Sequence, residues 1–236
     1  MMTPTIKVLY EDNHILAVTK PAGWLVHGDE TGDETLLDWA KSYIKVRYHK
    51  PGDVFLGVIH RIDRPVSGVV LFARTSKALE RMNNLFKNRE VEKVYWAITD
   101  QRPDPLQGTL EDYLWKDSAK NVVKALDRPS RRHPDAKKSV LNYKLLSEID
   151  KHYLIKVNPI TGRSHQIRVQ LSKMGCPIIG DVKYGHPTPN HDGSIYLHCR
   201  SMSFVHPVKD EKVTITASTP KLEFWNWFGE WKEEGY

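Results

Sequence analysis

The chain has 236 residues, 40% of them hydrophobic and 27% charged, and carries a formal net charge of +6. That length supports one large domain or two small ones with a proper core, and the composition is ordinary for a soluble globular protein. No apolar run approaches the roughly 18 residues of a membrane span, and MMTPTIKVLYEDN shows no secretory signal. Cys176 and Cys199 fit no CxxC spacing, so a cytoplasmic protein with free thiols is expected.

Two short strands open the chain, Ile6 to Tyr10 and His14 to Lys20, separated by the acidic turn Glu11-Asp12-Asn13. Lys20-Pro21-Ala22-Gly23 breaks the pattern. A helix follows from about Thr35 to Ile44, with Leu36, Leu37, Ala40 and Ile44 on one face and an acidic start and basic finish that suit its dipole. His60 to Gly68, HRIDRPVSG, sets the carboxylate of Asp63 between Arg61 and Arg64 on a loop shaped by Pro65 and Gly68. A carboxylate flanked by guanidinium groups keeps its charged form. VVLFA, Val69 to Ala73, then reads as a buried strand. Ser76 is a candidate cap for a helix over Lys77 to Lys87 with Leu79, Met82, Leu85 and Phe86 as its stripe.

KVYWAIT, Lys93 to Thr99, alternates as a strand with Tyr95 and Trp96 on opposite faces. Residues 101 to 134 read as strand fragments joined by long loops. Within 116 to 144 lie nine Lys or Arg, among them Arg131, Arg132, Lys137 and Lys138, against three Asp. This segment carries the whole net excess, the charge pattern of a phosphate-backbone binder or of a solvated loop. Val140 to Leu146 and Tyr153 to Ile160 return to strand character. A helix from Ser164 to Met174 follows Thr161-Gly162, which sets Arg163, His165 and Arg168 at a helix N-terminus, where anions are favoured. Two further strands and an aromatic docking helix, EFWNWF, complete the chain. Many strands with interspersed helices and no regular βαβα alternation predict an α+β fold with a large mixed or mainly antiparallel sheet. No repeat or linker divides the chain, so residues 1–236 read as a single domain.

The spaced segments, in this order, resemble the RluA-type pseudouridine synthases. YEDNHILAVTKPAGWLVH resembles the first signature of that family, HRIDRPVSGVVLFART its catalytic loop, EKVYWAI its tyrosine strand and TGRSHQIRVQLSKMGCPIIGDVKYG its last long signature. The resemblance runs from about Val8 to Pro207. It implies the pseudouridine synthase fold, with helices flanking the sheet and a central active-site cleft. The activity it implies is isomerisation of specific uridines in tRNA or rRNA, without metal or organic cofactor, by a monomer. By position, Asp63 matches the essential aspartate, Tyr95 the tyrosine that stacks on the target base, Arg163 the basic partner of the aspartate and Arg61 the arginine that holds the uridine flipped out. His60, Arg64, His165 and Arg168 are further candidates for substrate contact. Ile62, Val66, Ser164 and Gln170 depart from the usual residues of the pattern, and none of them is a matched site position. The first signature begins so near the start that the accessory RNA-binding domain of many relatives has no room. The basic segment, through Arg131, Arg132, Lys137 and Lys138, is then the candidate RNA surface.

Other classes fit less well. His60, Asp63 and Ser67 lie too close together for a hydrolase triad, and there is no GxSxG elbow. His186, His191, His198 and His206 match no zinc spacing. A catalytically silent RNA-binding protein of the same fold is the stronger rival, although it has no need of Asp63 beside Tyr95 and Arg163.

Overall fold

The computed structural model describes residues 6–28, 32–129 and 131–229. In chain order the elements are β1 (Val8–Glu11), β2 (Ile15–Lys20), α1 (Leu36–Arg47), β3 (Gly57–Val58), β4 (Ser67–Ala73), α2 (Ser76–Asn88) and β5 (Glu92–Thr99). Then come β6 (Gln107–Asp117), β7 (Val122–Leu126), β8 (Lys137–Ile149), β9 (His152–Pro159), α3 (Gln166–Lys173), β10 (Leu197–Val205), β11 (Lys212–Thr216) and α4 (Glu223–Phe228). A 3-10 turn, Val182–Tyr184, lies between α3 and β10. Among the described residues no helix is long and apolar enough to cross a membrane.

These elements form two compact units. The first holds the described residues up to Lys93 together with Cys199–Ser218; the second holds Val94–His198 and the described residues from Thr219 onward. In the first unit the strand order is β1-β2-β4-β10, with β3 paired to β4 and β11 to β10. All seven residues of β4 are buried, as the VVLFA run demands of a strand covered on both faces. Its register opposite β2, Ile15 against Ala73 through Lys20 against Gly68, brings the end of β2 beside the start of β4. Ile15 to Val18 and Val69 to Ala73, with Leu36, Ala40 and Met82 from the helices, make the core.

Both helices of this unit begin on a threonine. Thr35 and Asp38 form a reciprocal capping box on α1. The cap of α2 is Thr75, whose side chain accepts the N–H of Ala78, one residue earlier than Ser76. Of the expected α2 stripe, Met82 is fully buried, while Leu79, Leu85 and Phe86 are only partly covered.

The second unit runs β5-β9-β8-β6-β7, antiparallel throughout. Here the expectation of strand fragments over 101–134 is corrected. β6 is eleven residues long, and β6 and β7 form a hairpin with Asp117 opposite Val122. Its alternation of exposed charge with buried Asp112 and Leu114 hides the strand period from a hydrophobic reading. α3 starts at Gln166, two residues later than expected, because His165 stands in the left-handed region at φ 53°. EFWNWF is a helix that buries Trp225 and Phe228, as expected of a docking segment.

Candidate active site

In the first unit, the Asp63 loop is fixed by its apolar residues. Ile59, Ile62 and Val66 are buried, and the carbonyl of Asp63 accepts the N–H of Val66 at 3.0 Å, closing a turn through Arg64 and Pro65. Asp63 itself is half-buried and Arg61 exposed. Arg64 is engaged by two partners beyond the loop. Its Nε donates to the Gly23 carbonyl at 2.9 Å and its Nη2 to Asp33 at 2.8 Å, so the guanidinium is turned towards the segment after β2.

Lys20 ties that segment to the loop. It ends β2 with 0% exposure, and its ammonium donates to the carbonyls of Pro21 at 3.0 Å, Trp24 at 2.7 Å and Arg64 at 3.0 Å. Three donors meet three carbonyls, which satisfies the buried group. Burial pulls its pKa down to about 7, the charge of Asp63 opposes this, and the charge of Arg64 adds to it. Nothing in the sequence pattern marked Lys20 for a role of its own. The available signal was a lysine ending an apolar strand directly before Pro-Ala-Gly.

His60, a predicted substrate contact, is committed to the fold. Its Nε2 accepts the N–H of Leu71 at 3.0 Å, and its ring stacks on Phe86 with centroids 5.3 Å apart. Burial, with a smaller push from the charge of Lys93, lowers its pKa from 6.5 to about 3. The unfolded chain takes up this proton below the ordinary value while the folded chain does not, so stability is lost as pH falls from 6.5 towards 3. The loss is about 2 kcal/mol for the first 1.5 or so pH units. His60→Asn keeps an acceptor without titrating, so urea unfolding of that variant is expected to show a flatter pH dependence in this range than the wild type.

In the second unit, Tyr95 is half-buried on β5 opposite Val157 of β9, while its neighbour Trp96 is buried. The turn carrying Arg163 is held by Gln166. Its Oε1 accepts from the Thr161 hydroxyl at 2.8 Å and from the Arg163 N–H at 3.0 Å, and its Nε2 donates to the Val140 carbonyl at 3.1 Å. The side chain of Arg163 is exposed. His165 caps no backbone group of α3; its Nδ1 lies 2.6 Å from the Tyr184 hydroxyl.

Arg168, another predicted substrate contact, is held inside its unit by a buried carboxylate. It is 6% exposed and makes a bidentate pair with Asp181, Nε to Oδ2 at 2.6 Å and Nη2 to Oδ1 at 2.8 Å. Its position in the first turn of α3 carried an anion-binding signal, and in this structure the anion beside it is a buried carboxylate of its own chain. Removing one partner strands the other charge, so Arg168→Met is expected to cost about 3–5 kcal/mol, read from the shift of the denaturant midpoint. Gln170, one of the departures from the pattern, is likewise structural: it is buried and donates to Asp112 at 2.7 Å.

Of the basic surface, Arg131, Arg132 and Lys137 are exposed, and Lys138 is exposed but paired with Glu111 at 2.7 Å. Lys173 engages both Asp112 and Asp127, so two of the nearby carboxylates face a cation of α3. A cavity of about 630 Å³ elsewhere in this unit is walled by Asp100, His152, His186, Tyr196 and Phe224, and no predicted site residue lines it. Among the described residues no group of three or more His, Cys, Asp or Glu could hold a metal ion.

A family model described as RNA pseudouridylate synthase matches residues 14–173, more than half of the chain, from β2 through the Asp63 loop and the Tyr95 strand to the end of α3. The chain belongs to the RNA pseudouridylate synthase family. It is similar to ribosomal large subunit pseudouridine synthase C of Vibrio cholerae, 31% identical over 216 residues that cover 89% of this chain and 64% of that protein. It is also similar to tRNA pseudouridine synthase C of Yersinia pestis, 30% identical over 231 residues, 90% of this chain and 86% of that one. Among solved structures, human RNA pseudouridylate synthase domain containing 4 superposes with a TM-score of 0.76 at 26% identity, covering 93% of this chain and 90% of that one. The α+β architecture is thus the pseudouridine synthase fold. The chain spans less than two thirds of the length of the Vibrio relative.

Proposed function

We propose that this protein isomerises specific uridines in RNA to pseudouridine. The reaction breaks the bond between ribose and uracil nitrogen, turns the base and rejoins it through C5, which releases the C5 hydrogen. In this reading Asp63 is the carboxylate that acts at the ribose–uracil unit, as nucleophile or general base. Tyr95 stacks on the flipped base, Arg163 supplies the positive charge that pairs with the aspartate, and Arg61 holds the uridine out of its stack. Extrusion of a base costs a few kcal/mol, of which a stacked tyrosine returns about 1–3 kcal/mol.

The observation that carries this reading is the Asp63 loop. A half-buried carboxylate is held on a turn by buried Ile62 and Val66 and braced through Lys20, inside a segment matched by the family model. The names of the two bacterial relatives, one ribosomal and one a tRNA enzyme, support tRNA or rRNA as the substrate class. Pseudouridine mapping in RNA from cells with and without the protein tests this: a site lost in the deletion and restored by the wild-type gene is expected, and an unchanged map would count against the assignment.

The basic surface is proposed to grip RNA. Charge reversal of Arg131, Arg132 and Lys137 together is expected to weaken RNA binding and to flatten its salt dependence by about 0.7–0.9 in log–log slope for each phosphate no longer neutralised. Lys138→Glu alone should have a smaller effect, because Glu111 already occupies that ammonium. Filter binding across a salt series checks both, and an unchanged slope after the triple reversal would move the RNA surface elsewhere.

A further inference from the structure

We propose that Tyr184 is a positioning residue whose hydroxyl fastens the turn carrying Arg163 to the basic β6–β7 hairpin. The inference rests on the proposed function, in which Arg163 serves the reaction and the basic surface meets RNA.

The bridge lies wholly within the second unit. Tyr184 is buried among Leu114 of β6, Val123 of β7 and Val169 of α3. Its hydroxyl accepts the backbone N–H of Val123 at 2.9 Å and stands 2.6 Å from Nδ1 of His165. β7 is the last strand in its order, so the N–H of Val123 has no further strand to meet, and the hydroxyl takes that place. The hydroxyl keeps a proton and a second lone pair beyond the Val123 bond, so it pairs with His165 Nδ1 in either imidazole tautomer.

His165 is the residue this bond constrains. It follows Arg163 by two positions and is held at φ 53°, a left-handed backbone that residues with a Cβ adopt rarely. The Arg163 turn is therefore tied to two strands. Gln166 fixes it to β8 through the Val140 carbonyl, and Tyr184 fixes it to β7 through Val123. The ring of Tyr184 also lies under the Arg168 guanidinium, 5.0 Å from its centroid, which is a packing role separate from that of the hydroxyl. A guanidinium that must meet a reacting centre is sensitive to small displacements, about 1 Å being enough to cost as much as 100-fold. Losing the hydroxyl leaves the ring in place and releases the tether to β7.

The test uses Tyr184→Phe and His165→Gly, singly and together, with tritium release from an RNA that the wild-type protein converts. RNA affinity and thermal stability are measured alongside. Tyr184→Phe is expected to lower kcat by about tenfold with KM and RNA affinity within about twofold of wild type. Backbone amide exchange at Arg163 and Gln166 should also quicken. In the His165→Gly background, which has no imidazole to share the bond, the same substitution should change kcat by less than about twofold, a non-additive result. An unchanged kcat in Tyr184→Phe would overturn the proposal. So would an equal fall in both backgrounds, or a loss seen only in RNA affinity or melting temperature. A wild-type protein that converts no RNA would instead remove the proposed function, and the positioning role with it.

Discussion

Asp63→Asn is expected to abolish pseudouridine formation, with turnover down by about 10³-fold or more and RNA binding retained. The substitution keeps size and shape. It leaves the turn intact, because the atom of Asp63 that accepts the Val66 N–H is the backbone carbonyl. The buried anchors Ile62 and Val66 are not touched, and neither are the three carbonyls around Lys20. What disappears is the negative charge and, with it, any capacity to attack the sugar or accept its proton. A secondary effect follows from electrostatics. The charge of Asp63 is the influence that helps Lys20 hold its proton against burial, so the Lys20 pKa should fall below about 7 in the variant. A modest drop in melting temperature is therefore compatible with the account, whereas a global loss of structure is not.

The second large effect lies five residues along. Gly68→Ala is expected to cost more than about 4 kcal/mol or to prevent folding, measured as soluble yield and as the urea midpoint of whatever is recovered. Gly68, the second residue of β4, stands at φ 126°, a backbone region that L-residues rarely adopt. A Cβ there would stand 2.5 Å from the backbone nitrogen and 2.7 Å from the Cα of Cys199. These are main-chain atoms of β10 inside the first unit, so no side chain can swing away to make room. Gly23→Ala is the contrasting case: its φ is also positive, at 86°, but an added Cβ meets nothing within 4 Å. It should be markedly milder.

The parts of the molecule that were legible in the sequence are those whose signal is local. VVLFA announces a strand buried on both faces, and the EFWNWF helix follows from its aromatic spacing. The Asp63 loop stands out because charge, proline and glycine fall within nine residues. What could not be read depends on partners distant in the chain. Lys20 looks like any strand-end lysine until the Arg64 carbonyl, 44 residues on, is brought to it. Arg168 and His60 carry the residue types expected of an RNA contact, yet Asp181 and the Leu71 amide claim them. Sequence gives their chemistry and not their exposure. The hairpin of β6 and β7 was obscured for a related reason: its inward residues include Asp112, paired with Lys173 and Gln170, which breaks the apolar alternation that marks a strand.

The Asp63 loop thus holds two kinds of residue. Asp63 and Arg61 are presented by it, while His60, Ile62 and Val66 build it. Tritium release from RNA labelled at uracil C5 separates an enzyme from a silent RNA-binding protein most directly, with wild type and Asp63→Asn compared at equal RNA occupancy. The account predicts stoichiometric release of label from one or a few uridines by the wild type and none by the variant. Bound RNA with no label released by the wild-type protein, from any cellular tRNA or rRNA, would contradict it.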